Sequence, residues 1–240
     1  MIVKPHGGEL IDRNLSMKER EAILSCRDKF FNLEIDEEKA IEVQNIATGV
    51  FSPLKGFMNQ EDYREVVQNS RLASGYAWTL PIVLPVDRET AKKFGKNDTI
   101  ILTTREKAIA SMQVEDMYTW DFEEYARNIF GTTDGKHPGV QALKASGELF
   151  IGGSINFLSD PITHFPAYYL TPRETRVLFK EKKWNTVVGF QTRNVSHLGH
   201  EYVQKSAQSI VDGLFINPVI GKKKKGDFTD QVILDSYRAL

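Results

Sequence analysis

Residues 186–201 read TVVGFQTRNVSHLGHE, and this stretch decides the fold of the C-terminal part of the chain. Its apolar run 186–190 predicts a buried strand. The segment from about Leu198 to Val211 predicts a long helix. A second apolar run, 214–220 (LFINPVI), predicts another strand. The order strand, helix, strand favours a parallel sheet with a right-handed crossover, and therefore an α/β domain.

A different pattern precedes this α/β segment. Thr171 and Pro172 mark a helix start, with Thr as the cap and Pro at the first helical position. Upstream, residues 28–168 contain short strand-like runs separated by turns, with a few helical stretches. This pattern predicts a compact, mostly β domain, and we expect a small pseudo-barrel. The predicted domains are therefore 1–170, which is β-rich, and 171–240, which is the first part of an α/β domain.

Four apolar runs in the first domain predict strands, and one segment predicts a helix. The strand runs are 77–86, 99–103, 108–114 and 149–155. Pro81 and Pro85 place the first run at an edge or in irregular pairing, because proline has no N–H to donate to a neighbouring strand. The segment 121–130 has helical spacing, and Gly131 follows it as a stop.

The composition excludes several classes of partner. Among 240 residues, 31 basic side chains against 32 acidic ones give a net charge of −1, which offers no bulk attraction to nucleic acid or an anionic membrane. The single cysteine, Cys26, excludes an internal disulfide and a multi-cysteine zinc site. The N-terminus lacks the apolar core of a signal peptide, and no apolar run approaches the roughly 20 residues that span a bilayer. We therefore expect a cytoplasmic protein without nucleic-acid or membrane partners.

Polar groups that can bind an anion concentrate in residues 191–200, where a strand ends and a helix begins. Ligands of open α/β sheets bind at this position, and the helix N-terminus offers free N–H groups. His197 and His200 are three residues apart and can project from one helix face, with Gly199 leaving room for a phosphate. Arg193 adds a planar cation that suits two oxygens of a tetrahedral anion. The uncharged amides of Gln191 and Asn194 complete the donor set.

No nucleophile accompanies these donors, since neither a Ser-His-Asp order nor a reactive cysteine lies beside them. The pattern therefore favours direct in-line attack of one bound anion on another, with positioning and charge neutralisation as the catalytic means. Two other interpretations stay open. The histidines could cap the helix or lie on the surface, and they could bind zinc, although no third ligand is nearby in sequence.

The unit His197-Leu-Gly-His200 resembles the His-x-Gly-His motif of the α/β-phosphodiesterase nucleotidyltransferase superfamily. With its prefix, QTRNVSHLGHE is similar to the sulfate adenylyltransferase motif, which usually reads Gln-Thr-Arg-Asn-Pro followed by two histidines. Val195 replaces that proline, which loosens the loop and removes no donor. Stretches at 49–63, 70–82 and 135–155 (GVFSPLKGFMNQEDY, SRLASGYAWTLPI, and GKHPGV followed by GELFIGGSI) resemble the family's N-terminal domain.

This resemblance implies an ATP sulfurylase, which joins sulfate to the α-phosphate of ATP and releases pyrophosphate. It implies a PUA-like pseudo-barrel followed by the start of a Rossmann-like nucleotidyltransferase domain, with Mg²⁺ bound through ATP, no other metal site, and possible homo-oligomers of the full-length protein. Sulfate would be held by Gln191 and Arg193. The catalytic residues would be Thr192, Arg193, Asn194, His197 and His200, and these together with Gln191 would contact ATP.

The resemblance also concerns the extent of the chain. The family's catalytic domain continues past residue 240 to a Gly-Arg-Asp-His-type loop, so these residues are expected to be an N-terminal portion with weak or no turnover alone. The lysines 222–225 favour a solvated basic loop. The alternative is that Lys222 and Lys223 reach pyrophosphate, because the loop leaves the C-terminal edge of the sheet.

Two other functions remain open from the sequence. One is a different His-x-Gly-His nucleotidyltransferase that adenylylates an organic phosphate or a nicotinamide nucleotide. The other is a PUA-like module that binds RNA, for which a basic face with exposed aromatic side chains would be expected.

Overall fold

The computed structural model describes residues 3–221, 223 and 226–239, and it divides the chain into two compact units. Residues 4–173 form the first unit. Residues from Glu174 onward, together with Val3, form the second. The division lies close to the domain boundary predicted at residue 170, which stays a prediction.

The first unit contains a seven-stranded mixed sheet in which the last strand pairs with four others. The strands are β1 (Phe31–Glu34), β2 (Gly56–Phe57), β3 (Leu84–Val86), β4 (Thr99–Thr104), β5 (Lys107–Gln113), β6 (Asp116–Thr119) and β7 (Leu149–Phe157). β1 runs parallel to β4, and the other pairings are antiparallel. β7 pairs with β3 and β6 along its first half and with β2 and β5 along its second half.

Glycines at the middle of β7 allow this crowded pairing. A Cβ atom on Gly153 would lie 1.9 Å from the carbonyl oxygen of Gln113, and one on Gly152 would lie 2.4 Å from that of Met58. Gly153 also has φ of 152°, which L side chains rarely adopt. The close approach of backbones on both sides of β7 therefore requires glycine at these positions.

The first unit also contains six α-helices, five of them between strands, whereas the sequence pattern predicted a few helical stretches and placed one. The helices are α1 (Met17–Ser25), α2 (Glu37–Ala47), α3 (Gln60–Asn69), α4 (Arg88–Ala91), α5 (Phe122–Phe130) and α6 (Pro138–Lys144). α5 confirms the helix predicted at 121–130, since Asp121 accepts a hydrogen bond from the N–H of Glu124 as N-cap, and Gly131 ends the helix at φ 69°. The unpredicted α2 packs its buried Val43 and Ile46 against the core.

An aromatic cluster anchors the core of the first unit. The rings of Trp120 and Phe150 stack with centroids 4.9 Å apart, and Tyr63 and Tyr118 pack on Phe150 with edge-to-face geometry. Such pairs contribute roughly 0.5–1.5 kcal/mol each beyond the burial of apolar area. Burial raises the pKa of Tyr63 and Tyr118, and it raises that of Tyr125 to about 12, so the three hydroxyls stay neutral at physiological pH.

Three of the predicted strand runs match strands within a few residues, and the run 77–86 does so only in part. Its last three residues form β3, in which Pro85 lies opposite Phe150 of β7. Ala77 makes only an isolated bridge to Arg71, and Leu80 is 52% exposed. The prolines thus produce the irregular pairing that the sequence indicated.

The second unit follows the predicted order of helix, strand, helix and strand. It contains α7 (Pro172–Glu181), whose first turn includes the division between the units, and then β8 (Val187–Phe190), α8 (Leu198–Gln208), β9 (Gly213–Ile216) and α9 (Asp230–Arg238). β8 and β9 are parallel, as predicted. The second strand ends four residues earlier than expected, although the N–H groups of Asn217 and Val219 still donate to the carbonyls of Phe190 and Thr192 beyond its end.

Asp212 fixes the start of both strands of the second unit. Its Oδ2 accepts hydrogen bonds from the backbone N–H of Thr186 at 2.9 Å and of Asn185 at 2.8 Å, just before β8, while Asp212 itself precedes β9. These bonds, led by that from the N–H of Thr186, hold the pKa of the Asp212 carboxyl below its usual value. The beginnings of β8 and β9 are therefore tied together by one carboxylate.

No helix in the described part of the chain is long and apolar enough to cross a membrane.

Candidate functional site

The candidate site is the turn between β8 and α8. β8 ends at Phe190, residues 191–197 form a loop, and α8 begins at Leu198. His197 is the N-cap residue of this helix, and its Nδ1 accepts a hydrogen bond of 3.1 Å from the N–H of Gly199. An imidazole that accepts at Nδ1 carries its proton, when neutral, on Nε2. The cap therefore leaves Nε2–H as the hydrogen-bond donor of His197.

His197 and His200 form a stacked pair at the helix N-terminus. Their ring centroids are 3.9 Å apart and their planes are inclined by 24°. The ring of His200 also lies edge-on to Phe190, the last residue of β8, at 5.6 Å. Its Nδ1 is buried without a hydrogen-bond partner among the described residues. The pair thus presents imidazole donors where the helix dipole already favours an anion.

Arg193 lies in the middle of the loop and pairs with a carboxylate. Its Nη2 donates a hydrogen bond of 2.6 Å to Oδ2 of Asp227, which lies in the loop between β9 and α9. The Arg193 side chain is 41% exposed and that of Asp227 is 22% exposed. The guanidinium is therefore held at one nitrogen on a side chain that is partly open to solvent, so an anion can reach it.

Backbone hydrogen bonds extend the β8–β9 ladder into the site. The N–H of Asn217 donates to the carbonyl of Phe190 at 2.9 Å, and the N–H of Val219 donates to that of Thr192 at 2.9 Å. The hydroxyl of Thr192 accepts from the N–H of Asn194 at 3.2 Å. The residues that carry the candidate side chains thus have a fixed backbone, although they lie outside a regular strand.

The helix α9 supports the other end of the site loop. The N–H of Ser196 donates to the hydroxyl of Ser236 at 3.3 Å, and that hydroxyl donates to the carbonyl of Ile233. Burial raises the pKa of the nearby Tyr237 hydroxyl, and contact with the amide of Gln204 on α8 opposes that rise, although the pair does not reach hydrogen-bond geometry. The loop before α8 is therefore tied to α9 by the hydrogen bond between Ser196 and Ser236.

The structure places Lys223 in an ion pair with Asp230, at the first turn of α9. The same carboxylate accepts from the N–H of Gly221 at 3.1 Å. Lys222 lies outside the described residues. The possible contact of these two lysines with pyrophosphate stays a prediction, and Lys223 would have to leave Asp230 to make it.

The six predicted site residues all lie in one turn between a strand and a helix. The side chains of three are exposed and those of the other three are half-buried: Gln191, Asn194 and His197 in the first group, Thr192, Arg193 and His200 in the second. The sequence pattern does not single out Asp227. The only sequence feature that could have pointed to Asp227 is its position in the loop after the second strand, at the same edge of the sheet. The four lysines that precede it in this loop were the more conspicuous candidates.

The donors of the site suit an anion better than a bare metal ion. Within the ranges that the structure describes, no group of three or more His, Cys, Asp or Glu side chains is arranged to hold a metal. Asp227, the carboxylate at the site, accepts from Arg193. Amide, guanidinium and imidazole N–H groups fit phosphate or sulfate oxygens, so a divalent cation would fit here as the partner of a bound polyphosphate.

Comparison with protein-family models identifies both parts of the chain. Residues 3–160 match the PUA-like domain, and residues 166–240 match the ATP-sulfurylase model. These matches confirm the predicted fold class, a PUA-like domain followed by the start of a nucleotidyltransferase-like domain, here with a mixed sheet in place of a closed barrel.

Curated relatives extend over the whole chain. A sulfate adenylyltransferase of Pyrococcus abyssi is 50% identical over 240 residues, which cover 100% of this chain and 62% of the relative. One of Nostoc punctiforme is 42% identical and covers 99% of this chain. Among solved structures, the hexameric APS kinase of Thiobacillus denitrificans shares the fold at a TM-score of 0.75 and 22% identity, over 99% of this chain and 44% of that one. The chain thus spans about three fifths of the length of the relatives it matches.

Proposed function

The chain belongs to the ATP-sulfurylase family, and we therefore propose that the full-length protein is a sulfate adenylyltransferase. Its substrates would be ATP and sulfate, and its products adenylyl sulfate and pyrophosphate. The observation that supports this proposal best is the segment 191–200, which combines a partly exposed arginine with a histidine pair at a helix N-terminus. Both features bind anions, and the reaction brings two anions together.

The proposed reaction is a direct displacement at phosphorus. An oxygen of sulfate attacks the α-phosphate, an S–O–P linkage forms, and the bond to the bridging oxygen breaks with its electron pair leaving on pyrophosphate. Arg193 and Gln191 would hold sulfate, because both present N–H donors at the end of β8. Thr192, Arg193 and Asn194 would form the catalytic loop that orients the two reactants.

The histidines would act on the phosphate chain. With Nδ1 of His197 engaged by Gly199, its Nε2–H is available to a phosphate oxygen. His200 would add a second donor in the same stack and would stabilise the charge that develops as pyrophosphate leaves. The residues proposed to contact ATP are Gln191, Thr192, Arg193, Asn194, His197 and His200. Lys222 and Lys223 are possible further contacts.

Mg²⁺ is proposed to accompany ATP, since it would neutralise phosphate charge while the chain's own donors orient the oxygens. We also propose a cytoplasmic location, supported by the single cysteine and the near-neutral composition. Homo-oligomers of the full-length protein are proposed as well, because a protein that shares this fold is described as hexameric. Light scattering of the purified full-length protein would test that last point.

The function is tested by pyrophosphate release from Mg-ATP in the full-length protein, with and without sulfate. We expect release to require sulfate, and Arg193→Ala to lower kcat/KM for sulfate by at least about 100-fold, since it removes a charge-assisted contact to the reacting anion. Arg238→Ala is the matched control, because it removes an arginine of α9 that is not among the proposed site residues. Nη1 of Arg238 lies 3.6 Å from Oδ1 of Asp235, and both side chains are exposed.

Two results would contradict the proposal. Pyrophosphate release that ignores sulfate and responds to an organic phosphate or a nicotinamide nucleotide would assign the chain to another nucleotidyltransferase. Salt-sensitive RNA binding without any adenylyl transfer would instead favour the PUA-like domain as the functional part.

A further inference from the structure

We infer that Asp227 is a positioning residue for the sulfate site, which it serves by holding the guanidinium of Arg193. This inference rests on the proposed function. It starts from the ion pair of 2.6 Å between Nη2 of Arg193 and Oδ2 of Asp227. Asp227 belongs to the loop after β9, whereas the residues proposed to contact sulfate belong to the loop after β8.

The two side chains of this ion pair are less exposed than those of an ion pair that lies fully on the surface. The Asp227 side chain is mostly covered at 22% exposure, while the guanidinium side is open at 41%. Asp227 is therefore the more covered member of the pair. The contact uses one of the three guanidinium nitrogens, so the remaining donors can form the paired hydrogen bonds that a tetrahedral anion accepts.

Both ends of the pair are attached to fixed backbone. On one side, the carbonyl of Thr192, next to Arg193, accepts from the N–H of Val219 at 2.9 Å. On the other side, Asp227 lies two residues before Thr229, whose hydroxyl caps α9 by accepting from the N–H of Val232. Because the ion pair links this loop to the start of α9, the carboxylate can favour one rotamer of the long Arg193 side chain before sulfate arrives.

Two effects of the carboxylate oppose each other. Its negative charge repels a nearby dianion, which would weaken sulfate binding. Its hydrogen bond removes rotamer freedom from Arg193, and ordering a side chain in advance lowers the cost of binding. We infer that ordering outweighs repulsion, because a misplaced arginine loses its two-point contact entirely whereas the repulsion is screened at a partly exposed site.

The test is the effect of Asp227→Asn on steady-state kinetics of the full-length protein, with sulfate and ATP varied in turn. We expect KM for sulfate to rise about tenfold, the scale of a side chain released from its productive geometry. KM for ATP should change less than about twofold, and Asp227→Glu should recover most of the loss because it restores a carboxylate. Asp235→Asn, a matched acidic side chain on α9, should leave both constants unchanged.

A double variant separates positioning from a structural role. If Asp227 acts through Arg193, then Asp227→Asn in an Arg193→Ala background should cause no further loss. An additive loss, or a sulfate KM that is unchanged or lower in Asp227→Asn, would overturn the inference. Wild-type protein without sulfate-dependent pyrophosphate release would instead contradict the proposed function, so the two failures are distinguishable. Thermal melts of each variant would identify any that fail to fold.

Discussion

At the scale of single residues, the motif residues could be predicted and their partners could not. Residues 191–200 carry a recognisable order of donors, and the structure gathers them in one turn. Capping of the helix by a histidine was one interpretation that the sequence left open, and Nδ1 of His197 does cap α8. The ion pair of Arg193 depends on where a distant loop returns, which no local pattern encodes, so Asp227 emerges only from the structure.

Gly153 gives a prediction at this scale. We expect Gly153→Ala to destabilise the first unit by about 2–4 kcal/mol, because a Cβ atom 1.9 Å from the Gln113 carbonyl forces β5 and β7 apart at an unfavourable φ. Chemical denaturation followed by tryptophan fluorescence would measure the loss. Gly95→Ala is the control, since its Cβ would meet nothing closer than 3.8 Å. Equal stability of the two variants would contradict the argument.

At the scale of elements, the α/β part was predicted well and the first domain less completely. β8, α8 and β9 follow a simple apolar period, so their existence and order were correct, with ends displaced by a few residues. The helix α3 was missed although its buried Tyr63, Val66 and Val67 have helical spacing. Its remaining residues are polar, and a ten-residue segment of that kind resembles a loop between strands.

Asp212 gives a prediction at the scale of elements, because it ties the starts of β8 and β9. Its folded-state pKa is lowered, so its contribution to stability is present above its unfolded value of about 3.9 and is lost as pH falls through the folded value. We expect Asp212→Asn to flatten the acid-side loss of stability of the second unit below about pH 4. Hydrogen exchange of amides in β8 and β9 at several pH values would measure this.

The comparison variant for that experiment is Thr186→Val. It removes the hydroxyl that donates to the carboxylate of Asp212 at 3.1 Å and accepts from the N–H of Asp212 at 3.0 Å. The two backbone N–H groups that donate to the carboxylate stay, so the acid-side loss should shrink only in part. An acid-side loss in Asp212→Asn equal to that of the wild type would show that this carboxylate does not govern the strand starts.

At the scale of the whole molecule, the two units differ in how much apolar surface they bury. Nearly all of the buried apolar side chains lie in the first unit, and those described in the second are Ile233 and Leu234. Composition could not reveal this difference, because apolar residues are frequent in both parts. The side chains of Leu198 and Ile210 in the second unit are each 83% exposed. Burial of apolar surface is the main source of stability, so the units should differ in stability.

We therefore expect residues 4–173, expressed alone, to unfold cooperatively, and residues 174–240 alone to lack a cooperative transition. Within the 240-residue chain, chymotrypsin should cleave first after aromatic residues beyond position 174. Mass spectrometry of early fragments would check the order of cleavage. Initial cuts within β4, β5 or β7 would contradict the prediction.

The four pairings of β7 have a consequence for how the chain is made. A ribosome releases β1 to β6 well before residues 149–157, and four of those strands then lack the neighbour that they share in the finished sheet. Strands that pair with β7 cannot complete the sheet until β7 has been synthesised. Folding also becomes slower as the sequence separation between paired strands grows. The N-terminal two thirds of the polypeptide must therefore remain protected from aggregation until β7 emerges from the exit tunnel.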